Sequence, residues 1–361
     1  MHVGEVSLRR MRSVRLGGPS GLERPEDVVR WFGALQAQDV SPARWSVGQR
    51  LGSGTTEDVV QRACDEGRIL RTHVLRPTWH FVCPEDLRWL QALTGPRVQA
   101  GMATALRTAG LIPDVLLRCH DLIGVALTGG VSLTRPELAE VLARGGVEVS
   151  GNPLALVMLH TELEALVCSG GQRGKQQTYA LVDERVPFVQ PLDRDDALVE
   201  LVTRFFTGHG PATAKDLRWW SSLTLADIAL GLEGAGDRLR EDVVDGVTYW
   251  SAPDAEPWRP PSPAYRFLQT FDEYVVGYTE SRYAFDLSGR ARALPGDTLL
   301  RNGAVLLDGQ VAGHWRRTVR AEQVVVETRL YDEPDREALQ VAADELGAFL
   351  GRTAVVDWSL V

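Results

Sequence analysis

Gln36 and Gln38 stand one residue apart in the tract WFGALQAQD, at the end of an apolar run made by Val28, Val29, Trp31, Phe32 and Leu35. A primary amide offers a carbonyl acceptor and two N–H donors, and it does not ionise. Two such groups can hold a water molecule and stabilise developing charge, but they cannot pass a proton as a pair of carboxyls does. Asp39 is the competing general base, although its place after the apolar run suits a cap or a turn. The helical spacing before the pair predicts a helix reaching Gln38, on which residues i and i+2 point about 200° apart. For both amides to serve one site the helix must end or tighten there, and Asp39-Val40-Ser41-Pro42 permits that. A Gln-x-Gln alone equally describes a polar helix end, so its weight comes from its surroundings.

The elements that must position the pair follow from periodicity. The pattern is clearest over residues 193–251, where Leu198, Leu201, Val202, Phe205 and Phe206 fall at helical spacing before Gly208. Two further helices are opened by Thr213 and Thr224, each with an acid three residues on, the mark of a capping box. Two strand-like segments then flank Asp245-Gly246, a hairpin signal. Three helices followed by a two-stranded ribbon make a winged helix. The order recurs upstream in helices over 114–128, 134–144 and 153–167, with a wing crossed at Arg173-Gly174-Lys175. A looser copy has helices over 26–38, 42–51 and 57–67, the second with Ser41 as N-cap and Pro42 in the first position. It is followed by the β-segment ILRTHVLRPTWHFV, Ile69 to Val82, and another helix from Pro84.

A Pro-rich linker over 251–267 leads to strand-like alternation in FLQTFDEYVVGYT, around Asp308-Gly309 and in VVVETRLY, before a helix over 335–350 and a last strand. The expected fold is α+β. It comprises three tandem winged-helix domains, over 1–110, 111–190 and 191–255, and a C-terminal β-barrel-like domain over 256–361.

At 361 residues, 44% hydrophobic and 24% charged, the chain can bury several small cores. Apolar stretches are interrupted well before about 18 residues, and the N-terminal segment lacks a signal-peptide core, so a cytoplasmic protein without membrane contact is expected. Cys64, Cys83, Cys119 and Cys168 form no C-x-x-C pair and have no His at metal spacing, which predicts buried free thiols with neither a disulfide framework nor a metal site.

The net charge of −9 runs against a nucleic-acid partner, but residues 1–110 carry 15 Arg against 11 acidic side chains, and each later region is net acidic. The positive end coincides with the Gln pair. Candidate DNA contacts are Arg71 and Arg76, whose alternation suggests cations on one face, and the wing residues Arg173 and Lys175. Arg316 and Arg317, beyond the Asp308-Gly309 hairpin, complete the set. His80 is a candidate for stacking on or bonding to DNA, with a core role as the plainer alternative. Asp272-Glu273-Tyr274 either faces a ligand pocket or ties domains together. Helix-turn-helix regulators usually dimerise on palindromes, whereas three unlike copies and a β-domain in one chain suit a monomer clamping one position on duplex DNA. A winged-helix transcriptional regulator is one alternative, and a resistance protein that binds damaged DNA or a drug without hydrolysis is another.

LQAQD after an apolar helix, RTHVLRPTWHFV with PEDLRWL, RGKQQTYALVDER, GPATAKDLRWWS, FDEYVVGY and DGQVAGHWRR occur in an order that resembles the AlkZ-like winged-helix DNA glycosylases, from about Ser7 to Leu350. Gln-x-Gln, rather than the Gln-x-Asp of YcaQ-like members, is similar to the AlkZ-like branch. The resemblance implies three winged helices and a C-terminal β-barrel around a DNA channel. It also implies a monofunctional, cofactor-free glycosylase that removes alkylated purines, notably N7-alkylguanine, from duplex DNA and unhooks interstrand crosslinks made through them. Gln36 and Gln38 take the catalytic positions, and some members protect producers of DNA-alkylating natural products.

Overall fold

The computed structural model describes residues 2–52, 54–254, 256–258, 261–294 and 298–361. Ala255, Arg259 and Pro260 of the expected Pro-rich linker lie outside the described residues. The chain forms two compact units: Met1–Gln61 with Leu198–Val361, and Arg62–Ala197.

The second unit contains a hairpin, Leu70–Val74 with Arg76–Val82, turned at Leu75, whose φ is +65°. The long helix Pro84–Thr108 follows. Helices Pro113–Leu127, Arg135–Arg144 and Gly151–Leu163 then enclose a core of Leu116, Ile123, Leu138, Leu142, Val157 and Met158. Thr134 caps the middle helix through a capping box with Glu137. A small antiparallel sheet, ordered Leu133–Thr134, Thr178–Leu181, Val167–Ser169, completes this winged helix. Its tip is crossed where Arg173 pairs with Gln176 and Gly174 adopts φ +60°.

The first unit holds the clearest repeat. Thr213 and Thr224 cap helices Ala214–Ser221 and Leu225–Ala235 with Asp216 and Asp227 in full capping boxes. Strands Arg240–Val244 and Val247–Ser251 meet at Asp245 and Gly246, both at positive φ as a two-residue hairpin turn requires. The C-terminal sheet is curled and five-stranded. Tyr265–Phe267, Gly303–Leu307, Gln310–Val319 and Gln323–Leu330 run antiparallel in sequence order, and Thr353–Leu360 lies parallel to Gln323–Leu330. Helix Arg336–Phe349 makes the crossover that a parallel neighbour needs. The architecture is therefore α+β, with small wing-like sheets after helices and a half-barrel sheet at the C-terminus.

Three local readings change. The expected strand through FDEYVVGYT ends at Phe267, because Phe271 adopts φ +66° and Asp272 caps a short helix, Glu273–Val276. The helix expected from Pro42 starts at Val40, with Asp39 rather than Ser41 at its N-cap position. The N-terminal segment forms a helix, Val3–Ser13, unread in the sequence because Arg10 points inward. Its guanidinium is fully buried, donates to Pro211 O and Ser281 O at 2.8 and 3.0 Å, and lies 3.9 Å from the Tyr278 ring centre. Among the described residues, no helix is long and apolar enough to cross a membrane.

Candidate functional site

The Gln tract is not helical. The preceding helix, Pro25–Phe32, stops where Gly33 takes φ +78°, and Leu35–Gln36 forms a short strand before the helix Val40–Gly48. The expected helix to Gln38 is thus corrected: Gly33, at positive φ, breaks it directly after Phe32. The strand ends at Gln36, and Gln38 lies in the bend that leads to Asp39, so the 200° separation that a helix would impose on Gln36 and Gln38 does not apply. Gln36 is buried, 4% exposed, while Gln38 is half-buried and Asp39 exposed.

Gln36 is held from below by a buried carboxylate. Its backbone N–H donates to Glu273 Oε1 at 2.6 Å, and Glu273 Oε2 accepts from Trp220 Nε1 at 2.9 Å and faces His209 Nε2 at 3.0 Å. His209 itself stacks on Phe205, with centroids 4.5 Å apart, and meets Phe32 edge-on at 5.1 Å. All of these side chains are buried.

Asp272, one residue earlier, fixes the next helix. Its two oxygens accept from Arg50 at 2.8 and 2.9 Å, Ser46 Oγ donates to it, and Arg50 also donates to Val14 O at 2.8 Å. Arg50 and Asp272 are fully buried, and Tyr274 Oη donates to Gly309 O at 2.7 Å. The acidic-aromatic cluster is therefore structural, tying helix Val40–Gly48 and the Gln tract to the C-terminal sheet.

The DNA candidates fall into different environments. Arg71 lies with its guanidinium 4.3 Å from the Trp79 ring centre, and its backbone N–H donates to Ser169 Oγ at 2.8 Å. Arg71 pairs with Phe81 across the hairpin, whereas Arg76 follows Leu75 on the alternate face of its strand. By strand alternation Arg76, paired with Val74, lies on the face opposite Phe81 and so opposite Arg71, with a register irregularity between His73 and Val74. His80 is fully buried, with Nδ1 2.9 Å from Thr78 O.

Arg173, at the exposed wing tip, pairs with Glu137 at 2.7 Å, and Lys175 beside it is exposed. Arg316 makes a two-pronged pair with Glu327 at 3.0 Å on the sheet surface. Arg317 donates to Ser41 Oγ at 3.1 Å, and burial lowers its basicity while Glu57 opposes that.

Sequence reasoning missed Glu273, His209 and Trp220 as partners of the Gln tract. The available signal was the acid in FDEYVV, flanked by residues too apolar for a solvated carboxylate.

The comparisons agree with this architecture. A family model described as "DNA glycosylase AlkZ-like" matches residues 29–349. The structure of Streptomyces sahachiroi DNA glycosylase AlkZ superposes with a TM-score of 0.81, covering 100% of both chains at 21% sequence identity, a likeness of fold. No curated protein matches the sequence.

Proposed function

The chain belongs to the AlkZ-like DNA glycosylase family, and from that premise we propose that it is a monofunctional glycosylase releasing cationic N-alkylpurines, N7-alkylguanine foremost, from duplex DNA. The observation that carries this reading is the pinning of Gln36 by Glu273 in extended backbone, which gives an amide tract a fixed place without putting an ionised group at its surface.

That arrangement suits one kind of substrate. A purine alkylated on N7 is already cationic, so it departs neutral and needs no strong general acid. What remains is to stabilise an oxocarbenium-like sugar and to hold water on its open face, in contrast to glycosidases that use a carboxyl pair. In the proposed step the water oxygen bonds to C1′, the N-glycosyl electron pair neutralises the purine, and the water's proton passes to solvent. Gln36 and Gln38 position that water through their carbonyls, so preorganisation supplies most of the rate. The same cleavage at one half of an N7-linked interstrand crosslink unhooks it. Arg71, Arg76, Arg173, Lys175, Arg316 and Arg317 are assigned to phosphate contacts.

Duplex DNA containing N7-methylguanine, scored for free base and abasic sites, tests the reading. Wild-type protein should release the base, and Gln36→Ala and Gln38→Ala should each slow release about 100-fold or more, the scale of losing a positioned catalytic contact. No release by folded wild-type protein defeats the enzyme reading; full activity in both variants defeats the site.

A further inference from the structure

A cleft of about 140 Å³ in the first unit is lined by Pro42 and Trp45 of the helix after the Gln tract, by Trp315 and Arg317 of the C-terminal sheet, and by Gln269 and Thr270. It is smaller than the roughly 300–1,000 Å³ of drug-sized sites, which matches it to a single ring system. Both indole N–H groups are already used: Trp45 Nε1 donates to Phe267 O and Trp315 Nε1 to Leu268 O, each at 2.7 Å. The tryptophans therefore offer the cleft only their carbon frames.

Gln269 is different. It is only 4% exposed, yet its Nε2 has no hydrogen-bond partner, and neither does the buried Oγ1 of Thr270 beside it. Buried polar groups are nearly always paired, so two adjacent exceptions in the wall of one cleft need an explanation. The segment is also bent by Phe271 at φ +66°, in the left-handed region that non-glycine residues seldom adopt.

We propose that this cleft receives one nucleobase turned out of the duplex, with the Gln269 amide pairing to an acceptor on its edge. This rests on the glycosylase reading above. A base brings what the cleft lacks: a planar apolar body for the Trp45 and Trp315 walls, and a ring-edge acceptor for Nε2. The Arg317 guanidinium at the same cleft supplies a cation for the phosphate that accompanies the base. Gln269 then acts on the base, whereas Gln36 and Gln38 act on the sugar and water.

The test uses Gln269→Leu, which keeps volume and deletes the amide. Because the amide makes no hydrogen bond inside the protein, the variant should melt at or above the wild-type temperature, whereas a structural amide would lower it. Free N7-methylguanine is titrated into both proteins by calorimetry, and single-turnover release is followed on N7-methylguanine duplex. Binding of the free base should weaken at least fivefold and release should slow at least tenfold, with affinity for undamaged duplex unchanged. Equal binding of the free base by both proteins, or by neither, overturns the pocket. Loss of wild-type release with base binding intact and Gln269-dependent defeats the glycosylase reading and leaves the pocket standing.

Discussion

The backbone N–H of Gln36 and the carboxylate of Glu273 meet at 2.6 Å across 237 positions of sequence. Glu273 also accepts from Trp220 Nε1 and meets His209 Nε2, so one buried carboxyl group sets the height of the Gln tract against two aromatic side chains. Glu273→Gln keeps the shape but replaces one acceptor oxygen with a donor facing other donors. Misplacement of a catalytic group by about 1 Å can cost on the order of 100-fold in rate. The variant should therefore slow N7-methylguanine release by about 10- to 100-fold while binding undamaged duplex normally. In a Gln36→Ala background the same change should add almost nothing, because the positioned group is gone. Single-turnover rates across the double-mutant cycle decide the matter; additive losses would reduce Glu273 to a general stabiliser.

Arg50 and Asp272 carry a separate burden, that of holding the end of the Val40–Gly48 helix to the start of the short Glu273–Val276 helix. Removing one member of a fully buried pair strands the other charge, at a cost of about 3–5 kcal/mol. Asp272→Ala should lose stability on that scale in urea or guanidinium melts. The double change Arg50→Met with Asp272→Leu should recover most of it, since an apolar pair leaves no buried charge behind. A double variant as unstable as the single one would mean that Arg50's bond to Val14 O, rather than the ion pair, dominates.

Most of the fold was legible because its elements are locally punctuated. Thr213 with Asp216, Thr224 with Asp227 and the Asp245-Gly246 turn each specify an end within a few residues. The site was legible only as a tract. Periodicity carried the helix through Leu35 because Ala34 and Leu35 continue the apolar spacing, and nothing local announces that Gly33 turns left-handed instead of continuing the helix. Glu273 escaped for another reason: its partners are Gln36, His209 and Trp220, none nearby in sequence, so only the folded chain brings a carboxylate beneath an amide. Arg10 and Arg50 escaped similarly, since a buried arginine looks like a solvated one until its acceptors are known.

The His120 and His160 rings of the second unit make the last expectation, one of pH. Their Nε2 and Nδ1 atoms are 3.1 Å apart, and burial pushes both below the ordinary histidine range, with repulsion from His160 lowering His120 further. Glu164 pulls both back, as does Asp121 for His120, without reversing the direction. A histidine with a folded value below its unfolded one leaves the unfolded chain binding more protons in mild acid. The pair therefore leaves stability untouched above about pH 7 and lowers it as pH falls through about 6.5 toward the folded values. Urea midpoints measured at pH 7.5, 6.0 and 5.0 should fall for wild type and fall less for His120→Gln/His160→Gln. A residual decline remains expected from His314, which burial and Arg329 also lower. The carboxylates of Glu5, Asp27 and Glu137 sit below their ordinary range, so their stabilisation is lost only below about pH 4.5, outside this window. Identical declines in wild type and the double variant would remove the pair as the source.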